Sequence, residues 1–208
     1  MKAFVVKHVD RYYDDDAPTM IYFVSHDIHA RRAFADEYND SELTGISVKR
    51  EKALDRYADT SKIPFWLLAC MGWWTECDHC GGLVSEDAMN ERNLDVTNIV
   101  GTFRSRCFCS PVCHDNWKEE QAERKHVIGK ALFDLEKYLL EQFPGVTITR
   151  TQANTMFKQN QIVLDYAHVF FTFPAQNFGE CRITESKVVT VPRGAMTMFN
   201  KWRGLDAD

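Results

Sequence analysis

The sequence has no apolar run near the roughly 18 residues that span a bilayer, and its first stretch, MKAFVVKHVDRYYDDDAP, carries charge where a secretory leader has its apolar centre. These absences lead to the expectation of a soluble protein of the cytoplasm. Charge of one sign is also lacking, since 25 basic residues face 30 acidic ones for a net charge of -5. No global field draws such a chain onto phosphate, so a protein partner is expected ahead of nucleic acid. Glycine and proline are sparse, at 10 and 6 among 208 residues, and no repeat, heptad array or low-complexity tract occurs; this excludes solenoid and linker-like architectures. Missing too are the Gly-rich phosphate loop, the dinucleotide fingerprint, the GxSxG elbow and the HExxH pair, and with them the common catalytic frameworks.

What is present suffices for a packed core, with 45% apolar and 12% aromatic residues. The first third reads as a β-β-α-β layer. Residues Lys2 to Val9 and Thr19 to Val24 are rich in β-forming side chains, and Asp14 to Asp16 with Pro18 are turn material between them. Ser25 or Asp27 caps a helix through about Asn39, with Ala30, Ala33, Phe34 and Tyr38 on one face, and Leu43 to Lys49 forms a third strand. The chain turns strongly apolar from Ile63, and a boundary is expected near Pro64. A helix from Pro111 to Phe143 carries the stripe Ile128, Ala131, Leu132, Leu135 and Leu139, and Pro144-Gly145 ends it. Strands follow at Val146 to Arg150, Ile162 to Phe173 and Cys181 to Val191, the last two as an antiparallel pair, before a short helix from about Gly194 to Trp202. The expected class is α+β, with small mixed layers flanking a cysteine-rich centre, one long amphipathic helix and C-terminal antiparallel strands. The expected parts are residues 1–63, 64–125 and 126–208.

Six of the seven cysteines fall between Cys70 and Cys113. A cytoplasmic chain of this size does not need disulfides, so their spacing decides their purpose. In Cys77-Asp78-His79-Cys80-Gly81-Gly82 two residues separate the pair and glycine follows, which suits a tight knuckle holding two thiolates toward one point. In Cys109-Ser110-Pro111-Val112-Cys113 the long helix begins, with Ser110 at its N-cap and Pro111 in its first position. The N-terminal N–H groups and the helix dipole favour a thiolate on Cys113. Four thiolates, Cys77, Cys80, Cys109 and Cys113, would close a tetrahedral structural Zn²⁺ site. Cys107 and His114 are the second-choice ligands. Cys70 and Cys181 read as core residues.

The segment Phe108-Cys109-Ser110-Pro111-Val112-Cys113, following a CxxC knuckle, resembles treble-clef zinc fingers of the FCS/TRASH type and the small zinc proteins that inhibit DNA gyrase. That resemblance covers about residues 75–120 and implies a four-cysteine zinc site made of the same four residues. The whole chain is similar in style to uncharacterised bacteriophage proteins, which implies a phage-encoded inhibitor of a host machine or defence complex, acting in the host cytoplasm. A treble clef also carries nucleases of the HNH kind, but that chemistry needs a general-base histidine between the two cysteine pairs, and residues 81–108 contain none. No catalytic residue is therefore assigned.

The expected function is that of a non-enzymatic, zinc-stabilised interaction protein, with a protein as partner. The alternatives are a nucleic-acid-binding finger using Arg104 and Arg106 among Phe103 and Phe108, and a degenerate HNH-like nuclease. His26 and His29 read as solvent-facing positions of the first helix, His126 as solvated, and His168 as a hydrogen-bonded histidine within a strand.

Overall fold

The computed structural model describes residues 1–9, 18–159, 161–174 and 179–205. The acidic stretch Asp14 to Asp16 lies outside them. The chain divides into two compact units, Met1–His114 and Asp115–Asp208.

In the first unit, β1 (Lys2–His8), β2 (Thr19–Val24), α1 (Asp27–Tyr38) and β3 (Ile46–Arg50) form a three-stranded antiparallel sheet in the order β2-β1-β3 with one helix. Alternation along β1 buries Phe4 and Val6, which meet Ala30, Phe34 and Ala35 of α1 and Ile46 of β3 in one core cluster. The expected β-β-α-β layer is thus present, with two local differences. His26 holds the cap position of α1, and no side chain caps it. The Ser25 hydroxyl contacts His29 Nδ1 at 3.3 Å instead. The third strand starts at Ile46 because Asp40, Ser41 and Gly45 take positive φ and turn the chain before it.

A 3₁₀ turn (Lys52–Tyr57) and α2 (Phe65–Ala69) lead into the cysteine region. There β4 (Thr75–Glu76) pairs with β5 (Leu83–Val84) around the Cys77–Cys80 turn, followed by α3 (Glu86–Glu91). After a second 3₁₀ turn (Val96–Asn98), β6 (Val100–Gly101) pairs with β7 (Cys107–Phe108). Elements of two to six residues carry no readable periodicity, which is why the sequence shows them only as a cysteine block.

The long helix α4 (Pro111–Gln142) follows at once. In the second unit its residues Leu135 and Leu139 pack with Phe143, Ala167, Val169 and Phe171 in a single core, and Ala131 and Leu132 of the expected stripe flank them. The sheet there has the order β11-β10-β9-β8, all antiparallel: β8 (Thr147–Lys158), β9 (Gln161–Thr172), β10 (Cys181–Thr184) and β11 (Val189–Thr190). Strand β8 is longer than the expected Val146 to Arg150. Register shifts at Ile148/Arg150 and Asn154/Thr155 break its alternation, and within it only Thr155 is buried, so the pattern reads as polar loop. The expected strand Cys181 to Val191 is instead a hairpin, turned at Lys187 with φ +61 and closed by the Thr184 N–H donating to Val188 O at 3.1 Å. A 3₁₀ turn (Arg193–Ala195) and α5 (Met196–Trp202) complete the unit, and Phe199 joins its core. No helix among the described residues is long and apolar enough to cross a membrane.

Candidate metal centre

The knuckle is built by backbone. The Cys77 N–H donates to Gly82 O at 2.9 Å, and the Gly81 N–H donates back to Cys77 O at 2.9 Å. Closing so short a loop puts Gly81 at φ +69, which a residue with a Cβ resists. The turn leaves both Cys77 and Cys80 on its inner side.

The second pair is placed by a helix start. The Ser110 hydroxyl accepts from the Cys113 N–H at 3.2 Å, so the expected N-cap is formed and Cys113 occupies the third helical position. Strand β7 delivers Cys109 just before that cap. The Asp78 N–H donates to Cys107 O at 2.8 Å and joins this hairpin to the knuckle.

The four sulfurs of Cys77, Cys80, Cys109 and Cys113 all lie within 4.8 Å of one another. Two separations are 3.8 Å, from Cys80 Sγ to Cys109 Sγ, and 3.4 Å, from Cys109 Sγ to Cys113 Sγ. A tetrahedron of ~2.3 Å metal–sulfur bonds has edges of about 3.8 Å, so the four donors fit a metal ion. Cys77 and Cys109 are buried, Cys113 is half-buried and Cys80 is exposed. Among the described residues this is the one cluster of three or more such donors close enough for a metal, and it contains neither Cys107 nor His114.

The electrostatics of the cluster suits a cation. Burial pushes the Cys77 thiol up, but N–H groups of Cys80, Cys109 and His79 overcome it and bring its pKa to about 7. Burial, reinforced by the neighbouring sulfurs, drives Cys109 up to about 12, and burial also raises Cys113. Sulfurs this close cannot all ionise against one another in a metal-free site. A divalent ion, held by Cys77, Cys80, Cys109 and Cys113, would remove that repulsion and keep all four as thiolates.

Cys107 sits on β7 with its side chain buried at 3% exposure, and burial pushes its pKa up to about 12, with the charges of Cys77 and Asp78 adding to it. It belongs to the packing around the sulfurs. The His114 ring lies against Phe108 at 5.0 Å between centroids.

Asp78 is the residue that sequence reasoning passed over. Its Oδ2 accepts the Cys107 N–H at 2.7 Å, and its Oδ1 meets Arg106 Nη1 at 3.2 Å. It clamps the two halves of the centre from inside the CxxC loop. A carboxylate between two ligand cysteines was the available signal.

The remaining candidates scatter. Cys181 is fully buried as expected, whereas Cys70, expected in the core, is exposed: it caps the C-terminal end of α2, whose buried residues are Phe65, Leu68 and Ala69. His26 and His29 are exposed, with rings 5.8 Å apart, and His126 is exposed too. His168 is half-buried on β9, its ring 5.1 Å from that of Tyr166. Arg104 and Arg106 are exposed and engaged with carboxylates, Arg104 with Glu37 at 3.8 Å and Arg106 with Asp78. Phe108 is buried, and the Phe103 ring meets Trp73 edge-on at 5.8 Å.

No family model matches the chain, and no curated protein or solved structure is significantly similar to it.

Proposed function

We propose that the chain is a non-enzymatic interaction protein, stabilised by a structural Zn²⁺ on Cys77, Cys80, Cys109 and Cys113, with another protein as its partner. The observation that carries this reading is the convergence of four sulfurs within 4.8 Å. Four thiolates fill a tetrahedral ion's coordination shell, so the metal offers no position to water or substrate and serves as a cross-link. Soft sulfur donors in a tetrahedron favour zinc over the hard divalent cations. Knuckle, hairpin and helix start succeed one another as in a treble-clef finger, in keeping with the FCS/TRASH resemblance. Around this rigid centre, Leu83 on β5 and Val112 in the first turn of α4 are 47% and 67% exposed. Apolar side chains held outward on a metal-braced surface are suited to docking against a protein. As a phage-encoded inhibitor, the protein would act by covering part of a host machine.

The test is affinity capture from the native cell with mass spectrometry, comparing the wild-type chain with the Leu83→Asp and Val112→Asp variants, each verified to hold zinc. Capture of a defined protein by the wild type and its loss with either variant supports the reading. Turnover of plasmid DNA on adding Mg²⁺ or Mn²⁺, or purified protein without stoichiometric zinc, overturns it.

A further inference from the structure

The helix α1 covers one face of the first unit's sheet, and the other face forms a cleft. Along β1, Val5 and Lys7 alternate with the buried Phe4 and Val6. Lys7 lies opposite Thr19 on β2 and Ser47 on β3, and Val5 lies opposite Lys49, so these side chains share the face turned away from α1. They floor a cleft of about 710 Å³, within the range of small-ligand sites. Its opposite wall comes from the segments flanking the metal centre: Trp73, Trp74, Phe103 and Arg104.

Two features define the ligand. The first is aromatic surface. Trp74 is 57% exposed, a large share for the residue type with most to gain from burial. Trp73 and Phe103 brace one another edge-on at 5.8 Å, and the Arg104 guanidinium lies 5.6 Å from the Phe103 ring centre. The second is positive charge. Among the described residues lining the cleft, Lys7, Lys49 and Arg104 stand against one carboxylate, Glu51. Lys49 meets Glu51 at 3.8 Å with its own side chain 77% exposed, and Arg104 meets Glu37 at 3.8 Å with both side chains about half exposed. Ion pairs this open to water are worth little, so a ligand's anion can replace either carboxylate. The chain as a whole carries -5, which makes a local concentration of cations beside exposed rings the more specific signal.

We propose that this cleft binds a nucleotide unit, with the base stacked on Trp74 and the phosphate between Lys7, Lys49 and Arg104. A phosphate needs the cations, and a base needs the flat exposed ring. An acidic peptide would use the cations and leave the indole idle; an apolar peptide would do the reverse. The same chemistry is offered by a free nucleotide and by a nucleotide within a single strand. This site stands apart from the protein-partner reading, since it uses neither Leu83 nor Val112.

The experiment uses the full, zinc-loaded chain and follows tryptophan fluorescence and the anisotropy of labelled oligonucleotides. The probes are ATP, GTP, a labelled single-stranded dT12, a labelled rA12, a poly-Glu peptide and inorganic phosphate. Saturable binding of ATP or GTP with no gain from the oligonucleotides identifies a free-nucleotide site; tighter, salt-sensitive binding of dT12 or rA12 identifies a strand site. In either case Trp74→Ala and the double variant Lys7→Ala/Lys49→Ala should each weaken binding about tenfold or more, while the melting temperature and zinc content match the wild type. Trp74→Phe should keep most of the affinity, because a flat ring remains. No saturable binding of any nucleotide probe at millimolar concentration, binding untouched by these variants, or preference for poly-Glu overturns the proposal. Should a variant lose zinc or melt early, Lys7→Glu alone, at an exposed position, reads the charge requirement: unchanged affinity overturns the proposal.

Discussion

The Cys109 N–H donates to the Sγ of Cys77 at 3.4 Å. A backbone donor of the second cysteine pair thus already stabilises negative charge on the first, across an interval of 32 residues. Main-chain donors thus favour a thiolate at Cys77 without any ion, and this explains how it reaches a pKa of about 7 in spite of its burial.

Both residues also contribute a sulfur to the four-cysteine cluster, so replacing either should disable the centre. Cys77→Ser and Cys109→Ser are expected to abolish stoichiometric zinc, measured by mass spectrometry of the native protein. Structural zinc contributes on the order of 10 kcal/mol in small domains, comparable to the stability of a whole domain. Either variant, or a strong chelator on the wild type, should remove the cooperative melting of the first unit. A variant that melts like the wild type would sink the structural role.

Cys107 and His114 supply the contrast. Neither belongs to the four-sulfur cluster, so Cys107→Ala and His114→Ala are expected to retain one zinc per chain. Cys107→Ala should still destabilise by about 1 to 2 kcal/mol in urea titration, since it empties buried volume. Loss of zinc in either variant would reassign the ligands.

Asp78 is expected to act through position. Truncation to alanine leaves the Cys107 N–H without its acceptor at 2.7 Å and removes the contact with Arg106, at a cost of about 1 to 3 kcal/mol. Zinc affinity, measured by chelator competition, should fall between 10- and 100-fold while saturating zinc still fills the site. Asp78→Asn, which keeps an acceptor oxygen, should recover much of the loss.

The four-cysteine cluster was legible because its members stand at fixed short intervals in sequence, and the Ser110-Pro111 helix start has its own chemistry. The first sheet and α4 were legible from period-two and 3.6-residue patterns held over five residues or more. Elsewhere the period failed. The bulged β8 presents almost nothing buried after Ile148, and the turn at Glu185 to Lys187 contains neither glycine nor proline. The apolar run around Cys70 predicts burial throughout, whereas a five-residue helix hides one side only and leaves Cys70 exposed. The Asp78 clamp and the cleft under β1 depend on residues far apart in sequence, and no single-chain periodicity reports them.

Acid should act on the first unit through Asp55. Its carboxylate accepts from the Arg50 guanidinium and from the Ala3 N–H at 2.8 Å, and these bonds, Arg50's first, hold its pKa at about 2 instead of 3.8. A carboxyl depressed on folding stabilises the fold above its unfolded value and loses that contribution as pH falls through the folded one. The contribution should thus be complete above about pH 4 and gone near pH 2. Asp55→Asn is expected to lower stability at pH 7 and to flatten the pH dependence of urea unfolding within that window relative to wild type. Parallel curves for the two proteins would show that the pair does not contribute.

Gly101 tests whether the hairpin feeding Cys107 and Cys109 tolerates any change of backbone. It takes φ +141, outside the range open to a residue with a Cβ, and a Cβ built there would lie 2.4 Å from Arg106 O and 3.0 Å from the Cys107 Cα. Both obstacles are main chain of the paired strand β7 and the residue leading into it, so no side-chain rotation relieves them. Gly101→Ala must displace β7, and Cys109 moves with it. The expected result is destabilisation of several kcal/mol together with weaker zinc binding, the two losses coupled because one strand carries both. Gly82→Ala is the matched control: its Cβ would meet the Arg92 guanidinium at 3.0 Å, the movable end of a long side chain, and the Cys80 Sγ at 3.4 Å, an ordinary van der Waals contact. It should lose far less stability and keep its zinc, and equal damage from the two substitutions would show that the knuckle, not the hairpin, limits the site.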